Sequence, residues 1–145
     1  MCNSLIVGGL LAGMQVAAAC PAGYGPAADV LAFAAGYGDA FAFGRDPAAA
    51  AAGADVVVTD AWISMNRGAA AQAEARRRAL RPYQVNDALL AKAKPDAMVL
   101  HCLPAHHNQE ITDGVFEAHA DEIFTEAENR LHVQKAILAV LLAGK

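Results

Sequence analysis

Three stretches of this sequence gather residue types that can bind or transform a small molecule. The first is His101-Cys102-Leu103-Pro104-Ala105-His106-His107, which holds a thiol and three imidazoles. A zinc site would draw on these types, but structural zinc needs four ligands and usually two ligand clusters, and no second cluster accompanies this one. His101 and Cys102 are also adjacent, so on an extended strand end they point to opposite sides. A papain-like nucleophile lacks its local signature here. A buried, inert strand-end thiol remains open, because cysteine is often found in that setting.

The second stretch is Thr59-Asp60-Ala61-Trp62-Ile63-Ser64-Met65. An aspartate just beyond a strand can hold an ammonium through a charge-assisted bond. It can equally cap the element that follows, and spacing alone leaves both readings open. The third is Glu126-Ala127-Glu128-Asn129-Arg130-Leu131-His132. Arg130 is expected in the first turn of the last helix, where the helix dipole disfavours a cation. A bound phosphate or carboxylate would explain it. An ion pair with Glu126 or Glu128 would do so too.

The elements that must position these stretches alternate between short apolar runs and helical patterns. Residues 4–13 are apolar nearly all round, as in a buried helix. Residues 16–19 are a candidate buried strand, and 21–26 a Gly- and Pro-rich loop. A helix is expected over 27–35 and a weak strand over 40–43. Asp46-Pro47 has the form of an N-cap and first helical residue leading into an alanine tract. Val56, Val57 and Val58 form the clearest strand. Residues 67–78 are polar and loosely helical. Asn86 can cap a short helix that Pro95 stops, and 98–100 is another strand. One more strand is expected over 122–124. Thr125 with Glu128 then resembles a capping box for the last helix, with Val133, Ala136, Ile137, Val140 and Leu141 at helical spacing and Gly144 as its stop. Such alternation predicts an α/β fold, a three-layer Rossmann-like domain with a mostly parallel sheet. Ligands in that architecture bind beyond the carboxyl ends of the strands. The three stretches above all fall at such places.

Bulk properties narrow the functions. The 145 residues suit one domain, at 56% hydrophobic and only 18% charged. A fold with a surface meant to be covered fits that balance. The net charge is −4 and no basic run exceeds Arg76-Arg77-Arg78, which speaks against nucleic acid. Three cysteines without CxxC spacing point to reduced thiols and a cytoplasmic protein. The apolar opening resembles a secretory signal but carries no Lys or Arg before it. It is also too short to span a bilayer, which takes ~20 residues.

Together the stretches resemble the ornithine carbamoyltransferase family. The matching segments are TDAWISM at 59–65, PYQVN at 82–86, HCLPAH at 101–106, EIT at 110–112 and EAENRLHVQKA at 126–136, and the opening MCNSLIVGGLLAGM resembles the helix after that family's glycine–asparagine loop. The resemblance runs along essentially the whole chain, 1–145, and places it as the ornithine-binding, C-terminal half. It implies carbamoyl transfer from carbamoyl phosphate to the δ-amine of L-ornithine, giving citrulline and phosphate without metal or organic cofactor. It implies that Asp60, Ser64 and Met65 grip the amino-acid end of ornithine. Cys102 and Leu103 would line the reaction centre, with Cys102 treated in the family as the proton acceptor. Arg130 would bind carbamoyl phosphate, and His101, Pro104 and Asn129 would support them. The Leu103–Pro104 bond is expected to be cis, a geometry that proteins keep for tight sites.

The resemblance also has gaps. Family members are roughly twice as long, as two ordinary domains would be. Their other half carries an S-x-R-T phosphate loop, an H-P-x-Q stretch and most contacts of a homotrimer, and none of those motifs occurs in this sequence. A first sheet strand is expected to be missing with it. His107-Asn108 stands where the family often has Arg-Gly, and Asn66 where Gly is common; Asn tolerates left-handed backbone. A non-catalytic remnant that binds an amino acid or a protein is therefore a competing reading. So is a sister carbamoyltransferase acting on putrescine or an acylated ornithine, against which Asp60 and the Ser64-Met65 pair respectively argue. With Arg130 facing a phosphate dianion alone, turnover by this chain by itself is expected near zero.

Overall fold

The computed structural model describes residues 1–63 and 70–143. Its strands are short and all paired in parallel. β1 (Val16–Ala19) pairs with β2 (Phe41–Gly44), Val16 opposite Phe41. β3 (Val56–Thr59) pairs with β4 (Met98–His101), Val56 opposite Met98. Parallel neighbours need a crossover. Helix α2 (Ala28–Ala35) provides it between β1 and β2, and α4 (Ala70–Leu80) with α5 (Asp87–Leu90) between β3 and β4. The result is the Rossmann-like α/β arrangement that the alternating pattern predicts. The four strands form two separate ladders, and among the described residues no ladder joins them.

Each ladder has its own core. Helix α1 (Cys2–Leu11) turns Ile6 and Leu10, one helical turn apart, against Ala34 of α2, with Val16, Ala18 and Phe41 around them. Only this stripe is buried; Leu5 and Leu11 remain exposed, so α1 is covered on one side and not all round. Gly9 permits the close approach to the sheet. A Cβ there would stand 2.8 Å from Val16 Cγ2.

The second core joins Val57, Val85, Val99, Ile111, Val115, Phe116 and Ile123 across β3, β4, α6 (Asp113–Ala118) and the start of α7 (Ala120–Ala143). Complete burial of Val99, Ile111 and Ile123 contributes about 1.5–3 kcal/mol each. The expected caps are in place. Asp46 Oδ1 accepts from Ala48 N–H at 2.9 Å to open α3 (Pro47–Ala51), and Asn86 Oδ1 accepts from Leu89 N–H at 3.0 Å to open α5.

The chain end departs from the sequence reading. Residues 122–124 are not a strand, and Thr125 and Glu128 do not cap a helix; all lie inside α7, which starts at Ala120. A strand there would have bonded to the free edge of β4. Instead Glu122 Oε2 takes the Val99 N–H of β4 at 2.8 Å, and also contacts His119 Nδ1 at 3.0 Å. Asp121 and Glu122 sit in the first turn, where the dipole favours acidic side chains. The helix satisfies its own backbone, and one side chain satisfies the sheet edge. Gly144 lies outside the described residues. No helix among them is long and apolar enough to cross a membrane.

Candidate active site

Thr59 of β3 lies opposite His101 of β4. The next residues, Asp60 and Cys102, therefore leave the carboxyl ends of adjacent strands side by side. The Cys102 thiol donates to Asp60 Oδ1 at 3.3 Å. The same oxygen accepts the Ala61 N–H at 2.8 Å. Asp60 Oδ2 is 4.0 Å from the Met1 amino nitrogen, and the carboxylate is about half exposed, so an amine can reach it. Burial pushes the Cys102 thiol up to about 11, reinforced by its hydrogen bond to Asp60, the Asp60 charge and the charge of Glu126. At neutral pH Cys102 holds its proton, and Asp60 is the acceptor of the pair. One Glu126 carboxylate oxygen is itself buried and has no hydrogen-bond partner among the described residues.

The loop after Cys102 is folded onto a buried carboxylate. Glu110 and His101 are both fully buried. Glu110 Oε1 is 3.2 Å from His101 Nε2 and accepts the His106 N–H at 2.5 Å. His101 Nδ1 accepts the Leu103 N–H at 2.9 Å. Leu103 has φ 52° and a cis bond to Pro104. Burial alone would raise the Glu110 carboxyl, but the hydrogen bonds from His101 and the His106 N–H outweigh it and hold it below the usual range. The loop's exit is pinned to residues 84–85. Gln84 Nε2 donates to the Gln109 carbonyl at 2.8 Å, Val85 N–H to the Glu110 carbonyl at 2.8 Å, and Thr112 N–H to the Val85 carbonyl at 3.0 Å.

A second clamp uses the residues at 107 and 108. Asp113 Oδ1 is 2.6 Å from His107 Nδ1, while Asp113 Oδ2 accepts from Asn108 Nδ2 at 2.6 Å. Those contacts, Asn108 first, hold the Asp113 carboxyl low. Asn108 adopts φ 62°, a left-handed conformation that asparagine tolerates. The charge near the thiol is thus negative, from Asp60 and Glu126. An ammonium is the ligand end that this chemistry favours.

Residues 1–141 match the family model described as aspartate/ornithine carbamoyltransferase, Asp/Orn binding domain. The chain belongs to that family. It is 50% identical over 143 residues to an ornithine carbamoyltransferase of Methanospirillum hungatei, covering 99% of this chain and 47% of the relative. A Methanosarcina acetivorans ornithine carbamoyltransferase is 47% identical, over 98% of this chain and 46% of its own. Among solved structures, the anabolic ornithine carbamoyltransferase of Campylobacter jejuni superposes with a TM-score of 0.91 at 34% identity, over 100% of this chain and 48% of that one. The Pyrococcus furiosus enzyme gives 0.88 at 44% identity, over 99% and 46%. The chain spans about half the length of the relatives it matches.

Within this carbamoyltransferase domain, the residues expected at the site divide into two sets. Asp60, His101, Cys102, Leu103 and Pro104 come together at the ends of β3 and β4. The side chains of His101 and Cys102 diverge as adjacent strand residues should, one to Glu110 and the other to Asp60. Arg130 and Asn129 are exposed on α7, about one turn beyond Glu126, and make no side-chain hydrogen bond or ion pair with that strand-end group among the described residues. Arg130 is therefore not in a first helical turn. It also forms no ion pair among the described residues; Glu128 instead pairs with His132 at 3.0 Å. Ser64, Met65 and Asn66 lie outside the described residues. Sequence reasoning assigned no site role to Glu110 or Gln84, and named Glu126 only as an ion-pair partner for Arg130. The one available signal for Glu110 was an acidic residue fixed beside Ile111 in the quoted EIT segment.

Proposed function

We propose that this domain binds the amino-acid substrate of a carbamoyl transfer, L-ornithine, and presents its δ-amine to carbamoyl phosphate held by a complementary half. The observation that carries the reading is the Asp60–Cys102 contact at the carboxyl ends of two paired parallel strands. Asp60 would take the α-ammonium through a charge-assisted bond. The neutral δ-amine then attacks the carbamoyl carbon. Its C–O bond to phosphate breaks, phosphate departs with the electron pair, and the proton that the amine nitrogen gives up ends on the departing phosphate. Negative charge gathers on the carbamoyl oxygen in between, where fixed donors stabilise it. The rest of the rate comes from holding two substrates in line. The chemistry requires no metal or organic cofactor. Ser64 and Met65 belong to the amino-acid grip in this reading, and Arg130 to the carbamoyl phosphate side, reached when α7 meets the other half. A cytoplasmic protein within a homotrimer of complete two-domain units is part of the same reading.

Citrulline formation tests it, with this chain alone and mixed with a separately expressed carbamoyl-phosphate half of a relative. Activity in the mixture and none from the chain alone is the expected result. A folded mixture that associates yet forms no citrulline overturns the catalytic reading in favour of an amino-acid- or protein-binding module. In the active mixture, Asp60→Asn is expected to raise the KM for ornithine at least about tenfold, the loss of one charge-assisted bond. An unchanged KM removes Asp60 from the grip.

A further inference from the structure

Glu110 has neither a surface role nor an ordinary core role. It is a fully buried carboxylate, and a buried charged group adds little net stability compared with a well-packed apolar residue. Its bonds end on the loop that carries the thiol. Oε1 faces His101 Nε2 and the His106 N–H, at the loop's start and middle, and its own carbonyl is tied to Val85. We propose that Glu110 is a positioning residue for the reacting loop, acting through His101 to fix where Leu103 and the Cys102 thiol stand. The inference rests on the proposed function only in taking that loop to be the reacting one.

The chain of bonds has a single consistent proton arrangement. A backbone N–H can only donate, so the Leu103 N–H at 2.9 Å requires a bare lone pair on His101 Nδ1. The ring proton is then on Nε2, and Glu110 Oε1 is the acceptor it meets. The other tautomer, or a doubly protonated ring, would set N–H against N–H. Glu110 thus selects the tautomer. The tautomer in turn holds Leu103 at φ 52°, in a left-handed region where a leucine stays only when its surroundings fix it. The residue just before is Cys102, so the same constraint sets the distance from its thiol to Asp60. The titratable groups facing the thiol are Asp60 and Glu126, and His106 faces Glu110 from the loop.

The test uses the full chain without substrates. Histidine nitrogen resonances of the wild type are expected to show His101 with Nδ1 bare and Nε2 protonated. Iodoacetamide labelling of Cys102, followed peptide by peptide against pH, reads the thiol's placement. Glu110→Gln keeps a carbonyl oxygen as acceptor, and should preserve both the tautomer and the labelling profile. Glu110→Ala, with its fold checked by circular dichroism, should lose the tautomer preference. Its Cys102 should label at least about fivefold faster, with a lower midpoint, once freed from Asp60. An Nδ1-protonated His101 in the wild type overturns the proposal, and so does a folded Glu110→Ala with an unchanged profile. If Glu110→Ala does not fold, the wild-type tautomer and the Glu110→Gln profile decide. None of these readouts involves carbamoyl transfer, so a failed citrulline assay and a failed relay are separate results.

Discussion

The Asp60 carboxylate helps Cys102 keep its proton. The thiol donates to the carboxylate, and the three causes that raise the thiol act together: burial, the Asp60 contact and the nearby Glu126 charge. Asp60→Asn removes the second of these and leaves the first, so the midpoint of Cys102 alkylation should fall below about 11 without reaching the value of a free thiol. Labelling at a fixed mildly alkaline pH should rise accordingly. A midpoint that stays in place would mean that the carboxylate does not face the thiol in solution. The same arithmetic bears on catalysis. In the proposed reaction, a thiol that keeps its proton at neutral pH would take one from the amine only after a bound cation offsets the two carboxylates. A role for Cys102 as proton acceptor, which the family resemblance implies, would therefore require the substrate to be in place first.

Among the elements, the parts that obey local rules were legible in the sequence. The caps at Asp46 and Asn86, the valine strand and the Met98–His101 strand follow from residue type and period alone. Gly9 belongs to this scale as well. A methyl there would stand 2.8 Å from a β-branched side chain that has little rotamer freedom. Gly9→Ala should destabilise the chain by about 1–2 kcal/mol, overpacking exceeding the gain in helix propensity. Equal or higher stability in urea unfolding would show that α1 can lift off β1 without loss. The element that was misread is the start of α7. Residues 122–124 have strand-like composition, and nothing local indicates that Glu122 takes the Val99 N–H of β4. That contact joins positions 23 residues apart, and the contact of His101 with Glu110 closes a loop across nine residues, so neither follows from local period or composition. Two short apolar runs that each ended on a reactive residue marked Asp60 and Cys102 as candidates, but their meeting depends on the parallel pairing of β3 with β4, which no local signal in the sequence gives.

At the scale of the whole molecule, surface area separates this chain from a finished globule. A compact monomer of its 15.0 kDa mass exposes about 7,000 Å² by the usual scaling, and this chain exposes 9315 Å². Helix α7 carries a long exposed apolar row. From Leu131 onward every described residue is exposed, including Val133, Ile137, Leu138, Val140, Leu141 and Leu142. Only the first turns of that helix touch β4 and α6, through Ile123 and Glu122. An isolated helical segment of this length is marginal in water, because most helix stability in proteins comes from packing one face. Amide exchange should therefore divide the molecule. Val99 and Ile111, inside the second core, should exchange slowly, by openings close to the global stability, while amides 131–143 should exchange with little protection. Adding the carbamoyl-phosphate half of a relative should slow exchange over 131–143 specifically, since the apolar row would then be buried and Arg130, at its start, would be carried to the phosphate side. Strong protection of 131–143 in the chain alone would show that the helix is already covered, by self-association or by folding back. The route proposed for Arg130 would then be closed.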